Sequence, residues 1–362
     1  MRAAARLLSA FPPPQFLAMN GAGVDIGSGS VKSLEFISRG DTCEVLSSHE
    51  SELAEGVITD GDIEKPETLI ETLRSFRLRE RVYFAHASLP EKKAYLYQTL
   101  IPAVEKKLLP AVEFSLESHV PISPSDVVFD FEVVRKVEAG TVVSVTAYAK
   151  RVIEMYTDVF TKAGIVLRSL EIESQAIGRA VLTPEDKKRA VMIIDFGRKT
   201  TRIGIFDNGV VGFTATVDVG GEALTAAVMK HFSVSGEEAE TIKNEQGFLE
   251  GNENRELYEA LMTTISVLKD EVNKHIQYWN ASAETEVPRQ KVERLVLVGG
   301  NANLKGLPEY LSRALGIPTR VGNVWANAFS LDEYIPPMTQ QDSLEFATTV
   351  GLAMRSCNNP VW

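Results

Sequence analysis

The sequence predicts an α/β protein built from two similar halves, and three observations carry that prediction. Strand-like and helix-like runs alternate along the 362 residues, the pattern of helices layered on sheets. Two short loops of the same build, Asp25-Ile26-Gly27-Ser28-Gly29-Ser30-Val31-Lys32 and Asp195-Phe196-Gly197-Arg198-Lys199-Thr200-Thr201, each open one half. A third glycine turn, Gly299-Gly300-Asn301-Ala302-Asn303, follows the apolar run Arg294-Leu295-Val296-Leu297-Val298 and leads into a helix start. The length leaves room for two domains with sizeable cores, and 44% apolar residues with a mean hydropathy of -0.04 belong to an ordinary globular protein.

Residues 1–20 read as an extension ahead of the first half. Two arginines and a short apolar stretch lie there, but Pro12-Pro13-Pro14 interrupts the stretch and no small-residue cleavage pattern follows, so no signal peptide is expected. The first half then runs through a strand at Gly23-Val24, the first loop, a strand from Leu34 to Ile37, a helix over about 66–76 and a strand at Val82-Tyr83-Phe84. Residues from about 86 to 150 read as an inserted α+β piece, in which strands over 127–137 and 141–149 flank the turn Glu138-Ala139-Gly140. A helix over 152–162 and a strand over 166–170 follow. Thr183-Pro184-Glu185-Asp186 then breaks the chain just ahead of the strand Val191-Met192-Ile193-Ile194, and the boundary between halves is placed there. The expected domains are residues 21–185 plus 335–362, carrying the insertion, and residues 186–334. In the second half, Leu257, Leu261, Ile265, Leu268, Val272, Ile276 and Trp279 recur every three or four positions, which predicts one long helix over about 255–279 with its stripe packed on the domain sheet.

An Asp-x-Gly turn between two strands lets backbone N–H groups approach phosphate oxygens, because glycine removes the Cβ that would block them. One such turn is ordinarily a plain hairpin. Two in matching positions imply a single nucleotide held between the halves. Phosphate oxygens call for several donors, and the loops offer the N–H groups of Gly27, Gly29 and Gly197, the hydroxyls of Ser28, Ser30, Thr200 and Thr201, and the cation of Lys32. Mg²⁺ travelling with a nucleotide is held by one or two carboxylates and phosphate oxygens, a part that Asp25 and Asp195 fit, reaching the metal through water. The Gly299-Gly300-Asn301 turn is placed to receive the adenosine.

Those residues resemble the motifs of the actin, Hsp70 and sugar-kinase superfamily. Asp25-x-Gly27-Ser28-Gly29-x-x-Lys32 is similar to its first phosphate loop and Asp195-x-Gly197 with Thr200-Thr201 to its second. Leu170 to Ala176 and Ala347 to Ala353 resemble its two connecting helices, and Gly299-Gly300 its adenosine motif. Val219 to Thr225 and Glu238 to Lys243 resemble the segments around ribose and adenine, which implies adenosine contacts at Gly220, Gly221, Glu222, Glu240 and Lys243. The fold so implied is the actin-like, Hsp70-type two-domain ATPase fold with RNase H-like halves and a small inserted α+β subdomain. Within the superfamily, Ser88-Leu89-Pro90, Ile101-Pro102, the stretch Phe114 to Ser123, Asp130-Phe131 and the opening Phe11 to Leu17 resemble the type IV pilus assembly PilM family, a relative of the division protein FtsA. Two departures stand out: Arg198 and Lys199 are bulky and basic where the superfamily carries small residues, and the adenosine turn reads Gly-Gly-Asn.

Charge and composition remove other classes. A net charge of -11 and a pI near 5.2 argue against a nucleic-acid partner. No apolar run is long enough to span a membrane. Cys43 and Cys357 form no disulfide framework by their spacing and suit a reducing cytoplasm. The five histidines lie apart, without Glu or Cys at zinc-ligand spacing, and neither a Gly-x-Ser-x-Gly elbow nor a P-loop occurs. Glu173 and Gln175 are the candidates to orient an attacking water.

The resemblance implies an ATP-binding cytoplasmic component, peripheral to the inner membrane, that binds the N-terminal tail of a PilN-like membrane protein and works with other pilus platform and motor proteins. The bulky Arg198 and Lys199 and the Gly-Gly-Asn turn count against efficient hydrolysis, so weak or no ATPase activity is expected, with self-association open to the chain. The alternatives are an FtsA-like division protein and an ATP-hydrolysing enzyme of the superfamily. The first would want a C-terminal amphipathic helix, for which Arg355-Ser356-Cys357-Asn358-Asn359-Pro360 is too short and polar; the second would want a chaperone substrate domain or a sugar base, neither of which the sequence offers.

Overall fold

The computed structural model describes residues 20–39, 42–105, 107–251, 254–281, 287 and 289–358. The expected extension up to residue 19, including residues 11–17, lies outside the described residues, as do residues 359–362 at the end of the polar tail.

The first half starts with an antiparallel meander of β1 (Ala22–Ile26), β2 (Ser30–Arg39) and β3 (Thr42–Glu52). A small ribbon of β4 (Ile58–Thr59) and β5 (Asp62–Ile63) leads into α1 (Pro66–Arg79), whose proline sits in the first turn where no intrahelical N–H partner is lost. Strand β6 (Phe84–Leu89) then lies parallel to β1. Strand β7 (Tyr95–Pro102), helix α2 (Leu108–His119), β8 (Val127–Val137) and β9 (Gly140–Ala149) make the inserted unit, a three-stranded sheet in the order β7-β9-β8 with one helix. It has a small core of its own in Ile101, Val112, Leu116, Val120, Val143, Val145 and Ala147. Helix α3 (Lys150–Ala163) ends on the left-handed Gly164 and returns the chain to β10 (Val166–Ile172), parallel to β6.

After α4 (Glu173–Val181) the plan repeats. Strands β11 (Ala190–Phe196), β12 (Thr201–Asp207) and β13 (Val210–Val217) form the second meander, followed by α5 (Gly221–Phe232), α6 (Gly236–Gln246) and α7 (Arg255–Ala281). Strand β14 (Val292–Val298) lies parallel to β11, and after α8 (Leu307–Leu315) β15 (Thr319–Val321) lies parallel to β14. The first sheet reads β3-β2-β1-β6-β10 from its meander edge and the second β13-β12-β11-β14-β15, so the two halves share one topology. Every residue of β11 is buried, as a central strand covered on both faces requires. The stripe on α7 from Leu257 to Trp279 is buried throughout, which accounts for its periodicity.

The last helix, α9 (Ala347–Asn358), crosses back onto the first half. A Cβ on Gly23 would lie 2.1 Å from the Thr349 carbonyl oxygen, and one on Gly351 would lie 1.8 Å from that of Ala176. Glycine at these two positions is therefore what lets α9 touch β1 and α4 backbone to backbone.

Two expectations need correcting. The strand placed at 82–84 instead runs from Phe84 to Leu89, so His86 and Ser88 belong to the first sheet and the inserted unit starts later than about 86. Its polar His and Ser hid the alternation of buried Ala85, Ala87 and Leu89. Cys43 on β3 and Cys357 on α9 are not separate thiols but are joined in a disulfide, with Cα atoms 6.3 Å apart across a sequence separation of 314. Sequence spacing could not reveal a pairing that the return of α9 creates.

Candidate functional site

Both Asp-x-Gly loops fold as the same turn. The Gly27 N–H donates to the Ser30 carbonyl at 2.9 Å, and the Gly197 N–H donates to the Thr200 carbonyl at 3.1 Å. The hairpin register then sets Asp25 opposite Lys32 and Asp195 opposite Arg202. In the first loop Ser28 is exposed, Ser30 is partly exposed, and a Cβ on Gly29 would meet nothing within 4 Å. That loop therefore presents open backbone. Asp25, which is buried, accepts from the Ser88 hydroxyl at 2.7 Å.

The second loop is wrapped by the residues expected around adenosine. The Gly221 N–H donates to the Gly197 carbonyl at 3.0 Å and the Glu222 N–H to the Arg198 carbonyl at 2.9 Å, while the Arg198 and Glu222 side chains pair at 2.8 Å. A Cβ on Gly220 would lie 2.4 Å from the Arg198 carbonyl oxygen. The Asn301 amide donates to the Gly197 carbonyl at 2.9 Å and accepts from the buried Lys243 ammonium at 3.2 Å, which also pairs with Glu240 at 2.7 Å. Gly299, at φ +86°, brings its backbone against the Asp195 carboxylate, and Gly300 lies against Glu345. Asp195, Gly197, Gly220, Gly221, Glu222, Glu240, Lys243, Gly299, Gly300 and Asn301 thus form one neighbourhood, with Thr200 at the turn. Thr201 differs from the expectation: it is fully buried and its hydroxyl donates to the Val219 carbonyl at 2.6 Å, so it fixes the loop and has no free donor for a ligand.

The charges are arranged differently from what the sequence led us to expect. Lys32 turns to Glu345, at 3.1 Å, and to Glu50, at 3.6 Å, and its ammonium lies 5.2 Å from the Phe346 ring centre. Arg202, which the sequence motifs did not single out, donates from Nε and Nη2 to Asp195 Oδ2 at 3.0 and 2.7 Å and from Nη1 to Glu173 Oε1 at 2.7 Å. Its signal was legible: the residue following Thr200-Thr201 must fall opposite Asp195 once the loop is a hairpin. Burial alone would lower the Arg202 guanidinium, but the charges of Glu173, Asp195 and Asp25 outweigh it and hold the group charged. Burial pushes the Glu173 carboxyl well up, partly opposed by Arg202, and also raises Glu91, whose Oε1 accepts the Ser174 N–H at 2.7 Å. Gln175 lies on another face of α4, where its amide donates to Glu132 at 2.8 Å; it is not brought to the carboxylates. Among the described residues, no group of three or more His, Cys, Asp or Glu is arranged to hold a metal ion.

A groove of about 570 Å³ runs between the inserted unit and the two halves. Strand β8 lines one side with Val128, Phe129 and Phe131, while Leu170 and Arg179 from the first half and Val211 from the second face it. β8 ends its sheet, and among the described residues no strand pairs with its outer edge. The inserted unit is tied to the second half by Arg135, which pairs with fully buried Asp207 at 2.6 Å, and by the Ser144 hydroxyl, which donates to the Val211 carbonyl at 2.5 Å.

The chain matches the profile of the family described as type IV pilus assembly protein PilM over residues 23–357. Among curated relatives it is 34% identical to the cell division protein FtsA of Bacillus subtilis over 86 residues, covering 24% of this chain and 20% of the relative. It is 23% identical to FtsA of Neisseria meningitidis over 237 residues, covering 61% and 56% respectively. The chain therefore spans from a fifth to just over half of the length of these relatives. Among solved structures, it resembles a PilM-PilN type IV pilus biogenesis complex with a TM-score of 0.72 at 21% identity, covering 94% of this chain and 99% of that one. It also resembles MreB5 of Spiroplasma citri bound to ADP, with a TM-score of 0.54 at 12% identity and coverage of 91% and 94%. The fold is the actin-like one.

Proposed function

The chain belongs to the type IV pilus assembly protein PilM family, and from that membership we propose that it is a nucleotide-loaded adaptor of the pilus assembly platform, capturing the N-terminal tail of a PilN-like membrane protein. The observation that carries this reading is the outer edge of β8, which among the described residues has no strand paired to it, along a groove touching both halves. An extended peptide adds to such an edge through backbone hydrogen bonds while side chains enter apolar pockets. The likeness to a PilM-PilN complex supports the same class of partner. We place the chain at the cytoplasmic face of the inner membrane, next to other platform and motor proteins and with self-association open to it.

ATP is the proposed ligand of the cleft, with Asp25, Gly27, Ser28, Gly29, Ser30 and Lys32 on one side and Asp195, Gly197 and Thr200 on the other. Gly220, Gly221, Glu222, Glu240, Lys243, Gly299, Gly300 and Asn301 are proposed for the adenosine. A domain division at residues 21–185 plus 335–362 and 186–334 is part of the same proposal, with one sheet in each half supporting it. Helix α4 starts at the cleft with Glu173 and lines the groove with Gln175, so a change of angle between the halves reshapes the peptide site. Slow turnover, well below the ~10 s⁻¹ typical of enzymes, goes with Glu173 held by Arg202 and Gln175 turned to Glu132. The expected Mg²⁺ fits the donor set poorly, because Asp195 and Glu173 already share an internal cation.

The test is a titration of a labelled peptide from the N-terminus of a PilN-like protein against the full chain and Val128→Glu. Submicromolar binding weakened at least about tenfold by the substitution supports the groove; full affinity in the variant places the peptide elsewhere.

A further inference from the structure

We propose that Arg202 is the resident cation of the cleft and makes nucleotide binding independent of a divalent metal ion; this rests on the cleft being a nucleotide site. The two hairpins carry an acid and a base at matching positions, Asp25 with Lys32 and Asp195 with Arg202, but the bases have parted. Lys32 reaches outward to Glu345 and Glu50, whereas Arg202 turns inward and bridges Asp195 on its own sheet to Glu173 at the start of α4. Both of those acids are more than nine-tenths buried, and Asp25 and Glu91 are buried beside them.

A magnesium ion seated directly on Asp195 Oδ2 and Glu173 Oε1, the two oxygens that Arg202 holds, would have to strip Arg202 of its partners and leave a guanidinium uncompensated in the same confined space, an arrangement strongly disfavoured in a low-dielectric setting. The guanidinium does the neutralising instead. It has five N–H donors, of which three are spent on Asp195 and Glu173. Among the described residues the other two donate to no further group, and 24% of the side chain is still open to solvent. A planar fork with free donors is suited to phosphate oxygens and binds them without the dehydration that a metal ion demands.

The experiment is a titration of ATP into the full chain by calorimetry, once with excess Mg²⁺ and once with excess EDTA, repeated with Arg202→Gln and Arg202→Lys. The inference expects wild-type Kd values within about twofold of one another in the two buffers. It expects Arg202→Gln to bind at least about tenfold more weakly in EDTA, the cost of a lost charge-assisted contact, with Mg²⁺ recovering much of the loss because the acids are then vacant. Arg202→Lys should fall between. ATP binding by the wild type in Mg²⁺ that vanishes in EDTA overturns the inference and leaves the nucleotide site standing. No binding in either buffer overturns the nucleotide site and the inference with it. The wild-type pair of titrations decides the question even if Arg202→Gln fails to fold.

Discussion

Arg202 and Asp195 face each other across the β11–β12 hairpin, and Nε and Nη2 of the guanidinium both donate to the single carboxylate oxygen Oδ2, at 3.0 and 2.7 Å. The same guanidinium reaches Glu173 on α4. One side chain thus ties the second half to the helix that joins the halves and lines the groove beside β8. Helix α4 touches Arg202 through Glu173 at one end and the groove through Gln175, Gly178 and Arg179 along its length.

Gly29 separates binding from folding. A Cβ there would touch nothing in the protein, and the residue needs no left-handed backbone. We expect Gly29→Val to leave the stability of the free protein within about 0.5 kcal/mol while weakening ATP at least about tenfold, since the side chain stands where phosphate must approach backbone N–H groups. Thermal melts with and without ATP check both halves of the statement. A variant that melts and binds like the wild type removes the first loop from the site.

Glu345 holds the ammonium of Lys32 that is proposed to meet phosphate. Its carboxylate pairs with the ammonium at 3.1 Å and lies against Gly300, yet it remains 47% exposed. An exposed pair is worth little, so Glu345→Gln should tighten ATP by only about two- to fivefold. Lys32→Ala should weaken it, and the double variant should show no effect of position 345. Weaker binding in Glu345→Gln would mean that the carboxylate helps to hold the ligand.

The parts of the candidate site whose backbone geometry lies within one loop were legible in the sequence as hairpins. Asp25 to Lys32 and Asp195 to Thr200 lie in short hairpins whose geometry follows from their own residues. Arg202 is equally local, but its place opposite Asp195 follows from the hairpin register and not from the Asp-x-Gly motif, which ends before it. Glu91 and Glu345 were not legible, since they reach the cleft from a turn after β6 and from the approach to α9, and only the tertiary fold brings them there. Glu173 and Gln175 looked equivalent as neighbours in one motif; helical geometry sends them to the cleft and to the groove. The Cys43–Cys357 bond likewise depends on α9 returning to the first sheet.

That bond fastens α9, which supplies the Gly351 contact with α4, to strand β3. Reducing it frees the ends of a loop spanning a sequence separation of 314 in the unfolded chain, a kind of constraint commonly worth about 2–4 kcal/mol. We expect dithiothreitol to lower the unfolding free energy by about that amount and Cys43→Ser to do the same without a further response to reductant. Urea titrations of the two proteins with and without reductant make the comparison. Identical wild-type curves in the two buffers would show that the sulfurs are not joined in solution.

His86 makes stability depend on pH in a defined window. Its ring is buried between Ser169, whose Oγ lies 2.7 Å from Nδ1, and Ser356, whose Oγ lies 3.2 Å from Nε2. Burial lowers its pKa to about 4; nearby Arg355, Arg168 and Arg179 add to that, and Glu171 opposes it. The unfolded chain takes up the proton near the ordinary value of 6.5, so the unfolded state gains protons first as pH falls. The contribution of this group is therefore complete above 6.5, declines between 6.5 and 4, and changes no further below 4. With allowance for solvent screening, the decline is on the order of 2 kcal/mol. Unfolding free energies of wild type and His86→Gln, measured across that window, should converge as the pH is lowered from 6.5 to 4. A constant gap between the two proteins would show that His86 takes up its proton equally well folded and unfolded.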